Sequence, residues 1–237
     1  MKTTGKLYLI PTTLGDNEPL EVLPISVKKI IELINTYIVE NEKTARRFIK
    51  KITPKKQQSS LELFPLNKFT DRILLPEFLE PCLKGIDVGL ISEAGCPGVA
   101  DPGAEIVKLA HQKNIQVIPL VGPSSILMAM MSSGFNGQNF AFNGYLPIES
   151  NERKNEIKRL ERLSFEQNQS QIFIETPYRN NKMLESLGNI LENNTLISVA
   201  CDITLPTEFI KTQTAIEWKK NMVDLHKRPT IFIIHKE

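Results

Sequence analysis

Carboxylates set among glycines are the first residues in this chain that suggest chemistry. The stretch "LISEAGCPGVADPG" (90–103) starts as an apolar run. It then breaks into three glycines and two prolines, with Glu93 and Asp101 among them. Glycine permits φ > 0 and lets a ligand come close to bare backbone. The prolines stiffen the loop, so its amides and carbonyls are presented without an ordering cost on binding. Glu175, in "ETPYR" (175–179), also ends an apolar run, and "PTTLGDN" (11–17) and "VGPSS" (121–125) follow others. Each loop alone reads equally well as a turn before a helix. Four of them at strand ends favour a shared ligand, because in open α/β sheets ligands settle outside the carboxyl ends of the strands.

The ligand is narrowed by what is missing. Neither G-x-G-x-x-G after the first strand nor a loop ending in G-K-S/T is present, so a pyrophosphate has no recognisable cradle. A nucleoside with an amino-acid tail and no phosphate needs neither. It needs carbonyl acceptors for the adenine amine, hydroxyl or carboxylate partners for ribose, and amides for its carboxylate. S-adenosylmethionine has this chemistry.

Each candidate residue carries two readings. Glu175 is a base or ribose partner, or a carboxylate capping the helix that follows. Glu93 ends a buried strand and reads as aimed into the cleft. Asp101 reads as a helix N-cap, as do Ser124 and Ser125, whose capping is compatible with ligand contact. Lys43, Arg46 and Arg47 form a basic stripe suited to phosphate or to solvent. Tyr178 and Arg179 either stack on and clamp a nucleotide or form an exposed loop pair. The helix 151–163 carries a second basic face, interleaved with glutamates at pairing distance, which reads as a salt-bridged surface. Met128, Met130 and Met131 read as core or subunit contact, and Trp218 as packing.

These loops need elements to hold them. Strand-like runs stand at 6–10, 36–40, 60–64, 87–92, 115–120, 140–146, 170–176, 195–204, 208–212 and 230–234. Helix-like runs stand between them, at 26–34 (Ser26 as N-cap), 42–52, up to about 84, 101–114, 124–133, 151–163 and 180–192. Such alternation predicts parallel strands with crossover helices, hence an α/β layer fold. The joint is placed near Leu120, giving domains 1–120 and 121–237.

Composition sets the outer bounds. The chain has 237 residues, 41% of them hydrophobic, and a formal net charge of +2. That allows a real core and excludes a strongly cationic coat. Cys82, Cys96 and Cys201 are far apart and do not cluster with the three histidines, so neither a metal site nor a disulfide framework is expected. A reducing cytoplasm fits this usage. No apolar stretch is long enough for a membrane span, and no signal peptide is expected.

Taken in order along nearly the whole chain, these motifs resemble the tetrapyrrole methylase superfamily of S-adenosylmethionine-dependent methyltransferases. The nearest likeness is to the bacterial small-subunit ribosomal RNA cytidine 2′-O-methyltransferases. "LYLIPTTLGD" resembles the family's V-A-T-P-I-G-N, and "VENEKTARRF" its A-E-D-T-R-x-T-R-R-L. "ISEAGCPGVADPG" resembles S-D-A-G-T-P-x-I-S-D-P-G, and "VIPLVGPSS" resembles V-x-P-L-P-G-P-S/C-A. "GYLP", "FIETPYR" and "ACDIT" resemble G-F-L-P, F-Y-E-S-P-H-R and A-R-E-L-T. The resemblance implies two α/β/α domains with the cofactor in the cleft between them, and commonly a homodimer. It implies cofactor contacts at Leu14, Ala94, Gly95, Cys96, Val99, Ser124, Ser125, Glu175, Asp202 and Ile203. It also implies that the segment of Lys43, Arg46 and Arg47 faces the substrate. Asn41 and Glu42 replace the family's Asp-Thr, Lys43 an arginine, Cys96 a threonine and Tyr178 a histidine. "HKRPTIF" stands where K-G-E is usual. The cofactor loops are thus kept while the substrate-side motifs drift. The leading expectation is ribose 2′-O-methylation of ribosomal RNA, with a tetrapyrrole or other small acceptor, or a non-catalytic binding protein, as alternatives.

Overall fold

The computed structural model describes residues 4–237, which form two units, one ending at Ser124 and the next beginning at Ser125. The division therefore falls beyond Leu120. Leu120 donates its amide to Leu9 O at 3.0 Å. A Cβ at Gly122 would lie 2.3 Å from Pro11, so this loop is packed into the first unit.

The first unit holds β1 (Leu7–Ile10), α1 (Pro19–Val22), α2 (Ile25–Leu33), β2 (Thr36–Val39), α3 (Glu42–Ile52), β3 (Glu62–Pro65), a 3₁₀ turn (Arg72–Leu79), α4 (Glu80–Leu83), β4 (Val88–Ile91), α5 (Gly103–Gln112) and β5 (Val117–Pro119). The strands form one wholly parallel sheet in the order β3-β2-β4-β1-β5. β2 and β4 are buried throughout, which explains their unbroken apolar runs. One face packs Ile10, Tyr37 and Ile91 against α2 and α3, and the other packs Leu7, Ile38 and Leu90 against the 3₁₀ turn, α4 and α5. Tyr37 is buried, and its hydroxyl donates to Ile31 O and Ile34 O at the end of α2 (3.0 and 2.6 Å), so the polar atom is satisfied inside the core.

Two expected caps are corrected. α2 starts at Ile25 with the extended Pro24 before it, so Ser26 lies inside the first turn and caps nothing. α5 starts at Gly103, two residues beyond the expected Asp101. Asp101 Oδ1 instead accepts the Gly98 and Gly103 amides, both at 2.8 Å, and so closes the loop ahead of the helix. α3 matches its expected span, with Asn41 accepting the amides of Lys43 and Thr44.

The second unit holds α6 (Ser125–Ser133), β6 (Phe140–Tyr145), α7 (Ser150–Gln167), β7 (Ser170–Ile174), α8 (Asn180–Ile190), β8 (Leu196–Cys201), β9 (Phe209–Thr214), α9 (Ala215–Lys220) and β10 (Thr230–His235). Its sheet runs β6-β7-β10-β8-β9. Only β6 and β7 pair in parallel; β10 is antiparallel to both β7 and β8, and β8 and β9 form an antiparallel pair. The expectation that the second half repeats an all-parallel scheme is therefore corrected. The segment between β8 and β9 is too short for the crossover of about a dozen residues that parallel pairing needs. Phe173, Val199 and Phe232 pack with Trp218 and with the inner faces of α7 and α8. α6 lies on the opposite face, where Thr212 donates to Ser133 O at 2.8 Å.

In the expected salt-bridged surface of α7, Arg159 pairs with Glu156 through two bonds, of 2.8 and 2.6 Å. Arg153 is the exception. It is buried and donates to Ile148 O at 2.7 Å.

Candidate functional site

In the first unit the loops after β1, β4 and β5 leave the carboxyl edge of the parallel sheet and tie to one another. Thr12 N donates to Gly95 O at 3.0 Å, and Ser92 Oγ donates to the same carbonyl at 3.1 Å. The Cys96 thiol, whose pKa burial pushes up, lies 3.4 Å from Pro123 O. Gly95 has φ +71°, and a Cβ there would meet Leu14 Cδ2 at 3.1 Å and Pro123 O at 3.2 Å. Leu14, Gly95, Cys96 and the segment leading to Ser124 are thus brought together by a glycine that no other residue replaces without strain. Ala94 and Val99 stand exposed on the same loop.

No lysine or arginine occurs in 11–17, 94–99 or 121–125. The loops themselves offer backbone dipoles, hydroxyls and Asp16, and the cation that reaches them, Lys51 of α3, is already bound to Asp16 and Asn17 O. This suits a neutral nucleoside carrying a sulfonium better than a polyphosphate. The residues present therefore fit S-adenosylmethionine.

Beside these loops lies a cavity of about 440 Å³, bounded by the loop after β1, one face of α3 and the end of β4. Glu93 borders it. Its Oε1 accepts from Thr44 Oγ1 at 2.6 Å, and its amide donates to Glu40 Oε1 at 3.2 Å. The basic stripe divides here. Arg47 lines the cavity. Arg46 is bound elsewhere, to Gln58 O at 2.8 Å and beside Glu42, and Lys43 is exposed on the first turn of the helix. Lys51 also lines the cavity. It is held by Asp16 at 3.1 Å and Glu18 at 3.3 Å, and the hydrogen bond to Asp16 is the main reason its pKa is raised. Sequence reading passed over Lys51 and Thr44. Their spacing from Arg47, one helical turn either way, carried the signal.

The second unit brings the loops after β7 and β8 to one edge of its sheet, next to the segment that enters β10. Glu175, 6% exposed, accepts from Arg179 Nη2 and from the Thr176 amide, both at 2.6 Å. Burial pushes its carboxyl up, but the guanidinium and the amide outweigh burial and hold it below the ordinary carboxylate range. Arg179 Nε is buried with no partner, an orphaned donor beside Glu175. Asp202 sits at φ +50°, and its Oδ2 accepts from Arg228 Nε at 2.7 Å and from Thr207 Oγ1 at 2.9 Å. The carboxylate is thus committed to shaping its own loop, and Ile203 beside it is buried. Arg228 was missed as a partner, although it lies in the departing "HKRPTIF". Tyr178 is exposed, edge-on to His226 at 5.9 Å. Among the described residues no group of histidine, cysteine and acidic side chains is placed to hold a metal ion, and no helix is long and apolar enough to cross a membrane.

The Glu175–Arg179 pair gives a stability prediction. A depressed carboxylate pKa stabilises the fold above the unfolded value, about 4.3, and that contribution is lost as pH falls through the folded value. Arg179→Ala is expected to destabilise the protein by about 1–3 kcal/mol at neutral pH, the cost of leaving a buried carboxylate short of a partner. The deficit should shrink as pH falls through the depressed folded pKa of Glu175, below which the carboxylate is neutral in both proteins. Denaturant midpoints across pH 3–7 test this, and a deficit independent of pH contradicts it.

No protein-family model matches the chain. It is 30% identical to Ribosomal RNA small subunit methyltransferase I of Bacillus subtilis over 208 residues, covering 87% of this chain and 67% of the relative. It is 24% identical to the protein of the same name from Vibrio cholerae, covering 97% of this chain and 76% of that one. Among solved structures it resembles uroporphyrin-III C-methyltransferase from Thermus thermophilus complexed with S-adenosyl homocysteine. That match has a TM-score of 0.61 at 14% identity and covers 98% of each chain.

Proposed function

The chain belongs to the ribosomal RNA small subunit methyltransferase I family, and from that membership we propose that it transfers a methyl group from S-adenosylmethionine to a ribose 2′-hydroxyl of small-subunit ribosomal RNA. The observation that carries the reading is the joining of three loops without basic residues at Gly95, beside a cavity that holds two carboxylates and two cations.

When bound, the cofactor supplies an activated methyl group, so the protein has only to hold the acceptor oxygen in line and exclude water. Gly95, with Leu14, Cys96 and Ser124, gives the nucleoside a backbone rim in the first unit. Ala94 and Val99 extend it; in the second unit, taken by itself, Ser125, Glu175, Asp202 and Ile203 are the residues that the family likeness implies for the cofactor. Asp202, locked by Arg228, contributes through its backbone. Glu93, held by Thr44 at the cavity, takes the hydroxyl proton. Glu175 is a poor base because Arg179 and the Thr176 amide hold its carboxyl below the ordinary range, and it serves as an acceptor for ribose hydroxyls. Arg47 meets a phosphate of the RNA strand, Lys43 on the same helix adds an exposed cation, and Arg179 holds Glu175 in place. Tyr178 supplies an exposed ring next to it.

The same reading carries a cytoplasmic location and a homodimer. The exposed Leu127 and Met131, one helical turn apart on α6, support a subunit contact.

The test is transfer of labelled methyl from S-adenosylmethionine into undermodified small-subunit RNA, with a porphyrinogen as the competing acceptor and calorimetry for cofactor binding. The expected product is a ribose-methylated nucleotide that resists alkaline cleavage, because its 2′-oxygen can no longer attack the phosphate. Label in the porphyrinogen alone, or in neither acceptor, overturns the proposal.

A further inference from the structure

After β3 the chain makes a turn that the site above does not use. Thr70 Oγ1 donates to Pro65 O at 3.0 Å and accepts from Asn67 N at 2.9 Å. Thr70 N donates to Asn67 O at 3.0 Å, and Phe69 N to Asn67 Oδ1 at 2.9 Å. This closely bonded turn holds Phe69 out into solvent with 84% of its surface exposed. Burying such a ring would gain about 1.5–3 kcal/mol, so the turn forgoes a core contribution. Lys68 Nζ lies 4.9 Å from the ring centroid, and the Arg72 side chain is also largely exposed. A cavity of about 600 Å³ adjoins the turn, bordered by Lys68, Thr70 and Arg72 and by the carboxylates of Glu40, Asp101 and Glu105. Arg72 lies 3.2 Å from Glu105.

An exposed aromatic ring held out on a closely bonded turn and flanked by cations has the chemistry of a single-stranded nucleic-acid platform. The base stacks on the π-face, the cations meet its phosphates, and the locked turn removes the ordering cost. We propose that Phe69 stacks an unpaired base of the RNA strand, with Lys68 and Arg72 on the neighbouring phosphates. The three carboxylates that share the cavity repel phosphate. They therefore keep the strand's backbone at the turn and leave the cavity to hydrogen-bond donors of base or ribose. The proposal rests on the reading of the acceptor as RNA.

The test uses the full chain with undermodified small-subunit RNA. Phe69→Ala should raise KM for RNA about tenfold, the effect of losing one base–aromatic stack, and leave kcat at saturating RNA and the affinity for S-adenosylmethionine unchanged. Phe69→Tyr, which keeps the π-face, should restore KM. Lys68→Ala and Arg72→Ala should each lower the slope of log affinity against log salt by about 0.7. If the wild-type protein methylates RNA and Phe69→Ala matches it in KM, or Phe69→Tyr behaves like alanine, the platform is wrong and the acceptor assignment stands. If the wild-type protein methylates no RNA, both fall.

Discussion

Glu93→Gln is expected to slow methyl transfer to ribosomal RNA by about 10²–10⁴-fold, the usual contribution of a positioned base. Glutamine has the same shape and still presents an oxygen to the Thr44 hydroxyl, which donates to Glu93 at 2.6 Å. The loop after β4 should therefore keep its form, and binding of S-adenosylmethionine should not change. Only the ability to accept the proton is removed, so the loss should fall on kcat and appear in single-turnover rates with RNA already bound. Glu175→Gln should cost far less, because that carboxylate is already engaged by Arg179 and the Thr176 amide. Thr44→Val should fall between, since it frees Glu93 without removing it. A Glu93→Gln enzyme within about threefold of wild type would show that the hydroxyl loses its proton elsewhere.

Trp218→Ala should remove about 3–5 kcal/mol of stability, the range for deleting a large buried aromatic side chain. Trp218 is fully buried among the residues that line α7, α8 and the inner face of the second sheet. Its indole N–H donates to Ile197 O at 2.9 Å, and its ring meets Phe209 edge-on at 6.4 Å centroid separation. Truncation leaves a cavity and also removes the buried hydrogen bond to the Ile197 carbonyl. Against a typical total of about 5–15 kcal/mol, that brings the second unit close to unfolding at room temperature. Trp218→Phe should cost much less in packing while still losing the hydrogen bond, roughly 1 kcal/mol for that term. Urea titrations followed by circular dichroism decide the matter. Near-equal midpoints for alanine and wild type would mean that this ring does not anchor the core.

The first unit was readable because buried parallel strands have unbroken apolar sequences, and β2 and β4 have them. The strand directions of the second unit were not readable from the same feature. β8 and β10 are equally apolar, and an apolar run says nothing about which way its neighbour points. The signal lay in the short stretch 202–208, where Thr207 and Asp202 close the loop between β8 and β9. α9 was also announced, by "TAIE": Thr214 and Glu217 form a reciprocal capping box there. At the candidate site, the glycine loops could be found because a positive φ demands glycine at Gly95. The division of labour among Lys43, Arg46 and Arg47 could not be found. It depends on Gln58, whose carbonyl captures Arg46 from another segment of the chain.

β10 is the latest strand of the second sheet in chain order, yet it lies in the middle, between β7 and β8. During synthesis the earlier strands of that sheet emerge as two separate pieces, β6 with β7 and β8 with β9, which have no backbone ladder joining them until 230–235 arrives. The first unit has no such wait, since every strand it needs has been made by residue 119. A nascent chain would thus carry a finished amino-terminal half and an open carboxyl-terminal half with two unpaired strand edges. Chaperone dependence and aggregation during expression should concentrate in that interval.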